Sequence, residues 1–285
     1  MTDCIRTIDY IFQDNTRFPS LNDKIRYRRA IDDVNEDPIY VGGVVDSNEI
    51  EMIVTELSDR IYDAMHEAPK NSKVKKIMLI RINQGGRYLY DRIVAKIIEK
   101  DRTIDFVHAA VTVRSRIGIE VKEYQIPVEL HDLATGEFIQ DLQGIYAIGI
   151  DDIIDGGGTR GALDKYFIER FVKPPVGVDY VFMVQREEQL PERLVDWSIN
   201  FSEKLRNGIR FLSDEWLLGL GLDYTLIIED QEPLHIGREV DMTRTKHGGI
   251  YAINRDMVGR LKQAYQQSED YIKNQLNNLG LLTVK

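Results

Sequence analysis

The residues best suited to chemistry lie in one run: Tyr146-Ala147-Ile148-Gly149-Ile150-Asp151-Asp152-Ile153-Ile154-Asp155-Gly156-Gly157-Gly158-Thr159-Arg160-Gly161. An apolar strand leads straight into two adjacent carboxylates, and Asp155 adds a further one shortly after. Glycines, a threonine and a helical pattern follow. Glycines permit positive φ and close backbone approach, so N–H groups at a helix N-terminus can converge on an anion, and Thr159 adds a hydroxyl donor. The pattern is that of a phosphate cradle. The carboxylates would repel phosphate; they suit ribose hydroxyls, a magnesium ion or proton transfer. Gly-Lys-Ser/Thr of a P-loop is missing, as is the Gly-x-Gly-x-x-Gly opening of a dinucleotide-binding unit, which argues against a sugar kinase and a dehydrogenase. A generic strand-to-helix turn needs no carboxylates around it.

The elements that must hold this run alternate. Residues 47–65 read as an amphipathic helix with Ile50, Ile53, Val54, Leu57 and Ile61 on one face, capped by Asp46 or Ser47. Ile77–Ile82 has strand composition, Gly85-Gly86 follows, and Tyr88–Ile98 has helical spacing. Ile104–Val113, Tyr124–Leu130 and Ile145–Ile150 are further strands; Leu163, Tyr166, Phe167 and Phe171 mark one side of a helix; Val181–Val184 and Tyr224–Ile228 are later strands. Strands alternating with helices predict an α/β fold with a mainly parallel sheet, whose ligands bind beyond the carboxyl ends of the strands. Residues 254–279 read as a long polar helix with a narrow apolar seam, suited to packing on its own domain or to self-association.

Composition sets the outer limits. The 285 residues carry 37 Lys+Arg against 47 Asp+Glu, a formal net charge of −10, and 43% are hydrophobic. That is enough apolar material for a folded core. The acidic balance argues against a nucleic-acid binder. Arg26-Tyr27-Arg28-Arg29 is the one basic cluster near the N-terminus and reads as a solvated face or an oligomer contact, with a phosphate role as the lesser alternative. A single cysteine, Cys4, excludes an intramolecular disulfide and a cysteine-based zinc site. The histidines are scattered (His66, His108, His131, His235, His247), and none is assigned a role. No signal-peptide pattern and no membrane-length apolar run is present, so a cytoplasmic protein is expected.

Asp151-Asp152-Ile153-Ile154-Asp155-Gly156-Gly157-Gly158-Thr159 resembles the phosphoribosyl-pyrophosphate (PRPP) signature of type I phosphoribosyltransferases, closest to the hypoxanthine-guanine branch. Residues 48–57 resemble the first helix of that branch, and Ile82-Asn83-Gln84-Gly85-Gly86-Arg87-Tyr88 its pyrophosphate loop. Residues 216–224 resemble the segment closing the base pocket, and Pro233-Leu234-His235-Ile236-Gly237 the final strand of bacterial members. The resemblance implies a mainly parallel sheet flanked by helices, a small hood and a C-terminal helical extension. It divides the chain into an N-terminal extension (1–40), a phosphoribosyltransferase domain (41–240) and a C-terminal helical extension (241–285). It further implies that Asp151 and Asp152 bind the ribose hydroxyls, that Asp155 is the general base, and that Gly156, Gly157, Gly158 and Thr159 hold the 5-phosphate. Gln84 and Gly85 would touch pyrophosphate. Gln185, Trp216, Leu217 and Asp223 would form the base side, with Asp151, Asp152 and Asp223 near Mg2+. PRPP and a small heterocyclic base are the implied partners, with neither nucleic acid nor membrane, and a homo-oligomer, dimer or tetramer, is expected.

Several positions depart from the family pattern. Gln84 stands in place of the loop lysine, and Glu229 where relatives place an arginine. Val113-Arg114-Ser115-Arg116-Ile117-Gly118 occupies the flexible lid without the tyrosine of its Ser-Tyr pair. The lysine that reads a 6-oxo group falls near Gln185 and Arg186, and an insertion lies within residues 198–213 beside Trp216. The ribose-phosphate half is intact and the pyrophosphate and base halves are edited. The sequence therefore points to Mg-dependent transfer of 5-phosphoribosyl from PRPP to a purine-like or other nitrogen heterocycle. A non-catalytic PRPP or nucleotide sensor on the same fold is the alternative, as is a transferase for an unusual acceptor in a specialised nucleoside pathway.

Overall fold

In the computed structural model the chain runs through β1 (Ile5–Ile11), β2 (Lys24–Ala30), β3 (Val41–Val45), α1 (Ser47–Glu67), β4 (Lys76–Ile82), α2 (Arg87–Lys100), β5 (Val107–Ile117), β6 (Glu120–Asp132), β7 (Ile145–Ile154), α3 (Gly158–Arg170), β8 (Gly177–Gln185), β9 (Ile209–Arg210), β10 (Trp216–Leu218), β11 (Tyr224–Leu226), β12 (Leu234–Ile236) and β13 (Ile250–Ile253). The structure describes residues 5–11, 24–30, 41–45, 47–83, 85–117, 120–186, 197, 209–210, 216–220, 222, 224–226, 234–236 and 250–253. Gln84, Asp223, Glu229, most of 198–213 and the expected helix over 254–279 lie outside them. Two units divide the chain: Ile53–Leu212, and Met1–Met52 with Ser213–Lys285.

The first of these units holds a six-stranded sheet in the order β6-β5-β4-β7-β8-β9. β4 pairs in parallel with β5 and β7, β8 pairs in parallel with β7 and β9, and only β6 runs antiparallel, against β5. This is the mainly parallel sheet flanked by helices that the alternation predicts. β4 and β8 are central strands covered on both faces, so they read as continuous apolar runs rather than as an alternation. Met78, Ile80 and Ile82 of β4 enter a core cluster with Ala147 of β7, Phe182 of β8, and Leu163 and Phe167 of α3. Ile77 and Leu79, buried on the opposite face by the strand's two-residue period, complete the other layer. α2 buries Leu89, Tyr90, Ile93 and Ile97 at helical spacing.

Chain direction creates the feature that matters for function. From β4 the chain steps outward through α2 to β5 and β6, then returns to the other side of β4 for β7, α3 and β8. Strand order reverses between β4 and β7. In open α/β sheets that crevice, at the carboxyl ends of the strands, is where ligands bind.

Several expected boundaries shift. β5 begins at Val107, because Thr103 bonds through its N–H and hydroxyl to Asp101 Oδ1 and holds the preceding residues in a turn. β5 and β6 then extend well past the parallel sheet as an antiparallel ribbon, register irregular, from Ala109 opposite Asp132 to Ile117 opposite Glu120. β7 continues beyond Ile150 through Ile154, because β8 keeps pairing with it: Asp151 faces Phe182 and Ile154 faces Gln185.

In the other unit, β1 and β2 pair antiparallel, with Arg26 in register with Asp9 and Arg28 with Thr7. β3, β13 and β10 form a sheet in which Trp216 is in register with Ile253 and Leu217 with Ala252. β11 and β12 form an antiparallel pair. No helix among the described residues is long and apolar enough to cross a membrane.

Candidate active site

Two turns meet at the switch point. After β4, Asn83 takes a left-handed conformation with φ 56°. Few residues other than glycine do so, and asparagine tolerates it best. Hydrogen bonds hold it: the Asn83 N–H donates to the Val111 carbonyl at 2.9 Å, and the Val113 N–H donates to Asn83 Oδ1 at 2.6 Å. The side chain thus ties this turn to β5. Gly85 and Gly86 then run against β7. A Cβ on Gly86 would lie 2.5 Å from the Ile82 carbonyl oxygen and 2.6 Å from that of Ile150, and one on Gly85 would collide with the Asp152 carboxylate. The sequence places glycines here because two backbones pass at contact.

The second turn follows β7. Asp151 and Asp152 sit on the last part of the strand rather than in a loop. Asp151 is 2% exposed. Its Oδ1 accepts the Asp152 N–H at 3.0 Å, and Asp152 Oδ1 accepts the Ile153 N–H at 2.8 Å. Burial, and then the neighbouring Asp152 charge, push the Asp151 carboxyl well above the usual carboxylate range. Gly156 and Gly157 follow with φ 66° and 69°, a pair of left-handed residues that swings the backbone into α3. Gly157 caps that helix with no side-chain hydrogen bond, and Gly158 and Thr159 form its first turn. The N–H groups of such a turn are open to an anion. All of Asp151, Asp152, Asp155, Gly156, Gly157, Gly158 and Thr159 are therefore gathered on one chain turn, against which Gly85 and Gly86 pack.

Asp155 faces β8. Arg186 extends the β7–β8 pairing, its N–H donating to the Ile154 carbonyl at 3.0 Å. Its Nη1 lies 3.7 Å from Asp155 Oδ2, with the two side chains 10% and 23% exposed. Gln185 is buried in β8 at 1% exposure. Of the two candidates at this position, Arg186 is the one beside Asp155. Trp216 and Leu217 lie on β10 in the other unit, where Leu217 is buried. Gln84 and Asp223 fall outside the described residues.

The donor set fits magnesium in one specific way. Asp151 and Asp152 offer adjacent hard oxygen ligands, and burial followed by the Asp152 charge raises the Asp151 carboxyl well above the usual range. Among the described residues no cluster of three His, Cys, Asp or Glu side chains could hold a metal ion. Two adjacent carboxylates suit an ion that arrives with substrate phosphates and keeps waters.

Sequence reasoning gave no role to Asn83 or Tyr124. Asn83 carries a local signal, an asparagine just ahead of a glycine turn. Tyr124 carries none, since its contact is with Gly158 far along the chain.

No family model matches the chain, and no curated protein matches it. Among solved structures it is similar to a hypoxanthine-guanine phosphoribosyltransferase from Bacillus anthracis, at 15% identity and TM-score 0.45, covering 74% of this chain and 95% of that one. It is similar to a hypoxanthine phosphoribosyltransferase from Staphylococcus aureus, at 16% identity and TM-score 0.48, covering 79% and 97%. It is also similar to a mutant of the hypoxanthine phosphoribosyltransferase from Trypanosoma cruzi, complexed with the product IMP, at 15% identity and TM-score 0.47, covering 76% and 92%.

Proposed function

We propose that the protein is a phosphoribosyltransferase that moves 5-phosphoribosyl from PRPP to a nitrogen heterocycle and releases pyrophosphate. One observation carries the reading: the Gly85-Gly86 turn packs directly on the Asp151-Asp152 strand end at the sheet's switch point, beside the glycine-rich start of α3. A pyrophosphate-binding turn, a ribose-binding acid pair and a phosphate cradle then adjoin in the order that PRPP itself requires.

In this reading the amides of Gly156–Thr159 hold the 5-phosphate and the Asp151-Asp152 pair holds the ribose hydroxyls. Gly85 offers its amide to the pyrophosphate. The bond from ribose C1 to the pyrophosphate oxygen breaks as the bond from C1 to the acceptor nitrogen forms. The acceptor's N–H proton passes to Asp155, and the electron pair leaves with pyrophosphate. Fixed amide dipoles stabilise the departing charge without reorganising. Asp151 and Asp152 would hold magnesium, which when bound neutralises charge on the pyrophosphate. Arg186, beside Asp155, offers a cation to a carbonyl or anionic edge of the acceptor. An acceptor presenting an N–H to Asp155 and an oxygen to Arg186 fits this pair, as a 6-oxopurine does.

Purified protein given PRPP, magnesium and a panel of bases should release pyrophosphate with at least one base. No release with any base, together with no PRPP binding by calorimetry, would refute the reading. A second reading, a non-catalytic PRPP or nucleotide sensor, is favoured by the Arg186–Asp155 ion pair, which engages the proposed base with a cation. It predicts PRPP binding without turnover.

A further inference from the structure

The β5–β6 ribbon is fastened to α3 along the helix's length. Near the helix's C-terminal end, Arg170 Nε and Nη2 donate to the two Glu129 carboxylate oxygens at 3.0 and 3.3 Å. One residue further along β6, the Leu130 N–H donates to Tyr166 Oη at 3.1 Å. Ile126 packs on the core cluster that contains Leu163 and Phe167 of α3. At the helix's first residue the half-buried phenol of Tyr124 lies directly on Gly158: a Cβ there would collide with the Tyr124 hydroxyl and ring. Among the described residues nothing hydrogen-bonds that hydroxyl. The base of the ribbon is thus a fixed wall, and it sets the Tyr124 hydroxyl over the first turn of α3.

We propose that Tyr124 is a positioning and binding residue of the phosphate subsite, its hydroxyl donating to the 5-phosphate that rests on the Gly156–Thr159 amides. The inference rests on the phosphoribosyl reading of that turn and adds a residue to it. An anion at the α3 N-terminus can take donors on its outer side as well as from the backbone; Gly156–Thr159 carries no lysine or arginine of its own, and the next residue, Arg160, is buried. A tyrosine held by packing on both sides donates at little entropic cost. The same contact explains why residue 158 is glycine: any side chain there would displace the phenol.

Calorimetric titration of ribose 5-phosphate and of inorganic pyrophosphate into wild type and Tyr124→Phe tests this. Phenylalanine keeps the ring and its packing and removes only the donor. Loss of a hydrogen bond to a charged group should weaken ribose 5-phosphate binding about tenfold or more, with pyrophosphate unaffected. Gly158→Ala should weaken ribose 5-phosphate by pushing the phenol aside, and adding Tyr124→Phe to it should cost nothing further, because contacting residues couple in a double-mutant cycle. Equal or tighter binding of ribose 5-phosphate by Tyr124→Phe overturns the inference, and so does an additive double variant. Wild-type protein that binds neither PRPP nor ribose 5-phosphate overturns the phosphoribosyl reading itself, a distinguishable result.

Discussion

Buried acids are handled in opposite ways in two regions of the same sheet. Near the start of β7, Tyr146 donates its hydroxyl to Asp179 of β8, and next to Asp179 on that strand, Tyr180 donates to Asp164 of α3 at 2.7 Å. Asp179 and Asp164 are as buried as any core residue. Each is met by a neutral donor from the chain. At the far end of β7, Asp151 is buried to the same degree, yet the neighbour that perturbs it is another carboxylate. At Asp151, burial and the Asp152 charge instead disfavour the ionised carboxylate, the kind of perturbation that clusters at functional sites.

The largest effect that would sharpen this contrast is chemical. Asp155→Asn should lower the transfer rate about a hundredfold or more by removing proton acceptance, with PRPP affinity nearly unchanged. Single-turnover kinetics beside calorimetry separate the two. An unchanged rate would remove Asp155 from the mechanism. Next in size is Gly86→Ala, whose Cβ would sit 2.5 Å from the Ile82 carbonyl oxygen and 2.6 Å from that of Ile150. Forcing these backbones apart should cost about 3 kcal/mol in denaturant unfolding and abolish PRPP binding.

The comparison itself is broken or kept by a pair of stability measurements. Tyr146→Phe takes the hydroxyl from buried Asp179 and should destabilise by about 2 kcal/mol without altering PRPP affinity. Asp151→Asn should do the reverse, stabilising the ligand-free protein by about 1 kcal/mol while PRPP binding is lost. If both substitutions destabilise, the two regions do not differ in kind.

The smallest effect concerns His108 on β5, packed against Phe106 and within 2.9 Å of the Tyr90 hydroxyl. Burial lowers its pKa from the ordinary 6.5, partly offset by Asp132. The folded state then binds this proton more weakly than the unfolded state does. Its stabilising contribution is full above the unfolded pKa and declines as pH falls through it. Between about pH 7 and pH 5, wild type should lose slightly more stability than His108→Gln.

Much of this molecule is legible in its sequence because the central strands are covered on both faces. Ile77–Ile82 and Ile145–Ile150 are apolar runs bounded by turns, and they emerge as the adjacent strands β4 and β7. The acid-glycine run is legible for the same reason: local chemistry and local structure coincide there. The β5–β6 ribbon is not, because it leaves the sheet and carries mixed polar residues such as Arg114-Ser115-Arg116, with no apolar period to mark them. The reach of β7 through Asp151 and Asp152 is hidden because carboxylates are depleted in strands, and only pairing with β8 keeps them there. The Tyr124–Gly158 and Asp155–Arg186 contacts join residues distant in sequence, so no local pattern announces them.

The central claim is that the β4–β7 crevice binds PRPP through the acid pair and the glycine turns. Calorimetric titration of PRPP with magnesium into wild type and Asp152→Asn tests it most directly. The account predicts saturable binding to wild type and at least a tenfold loss, about 1.4 kcal/mol, in the variant. Equal affinity in both proteins, or no binding to wild type, would contradict it.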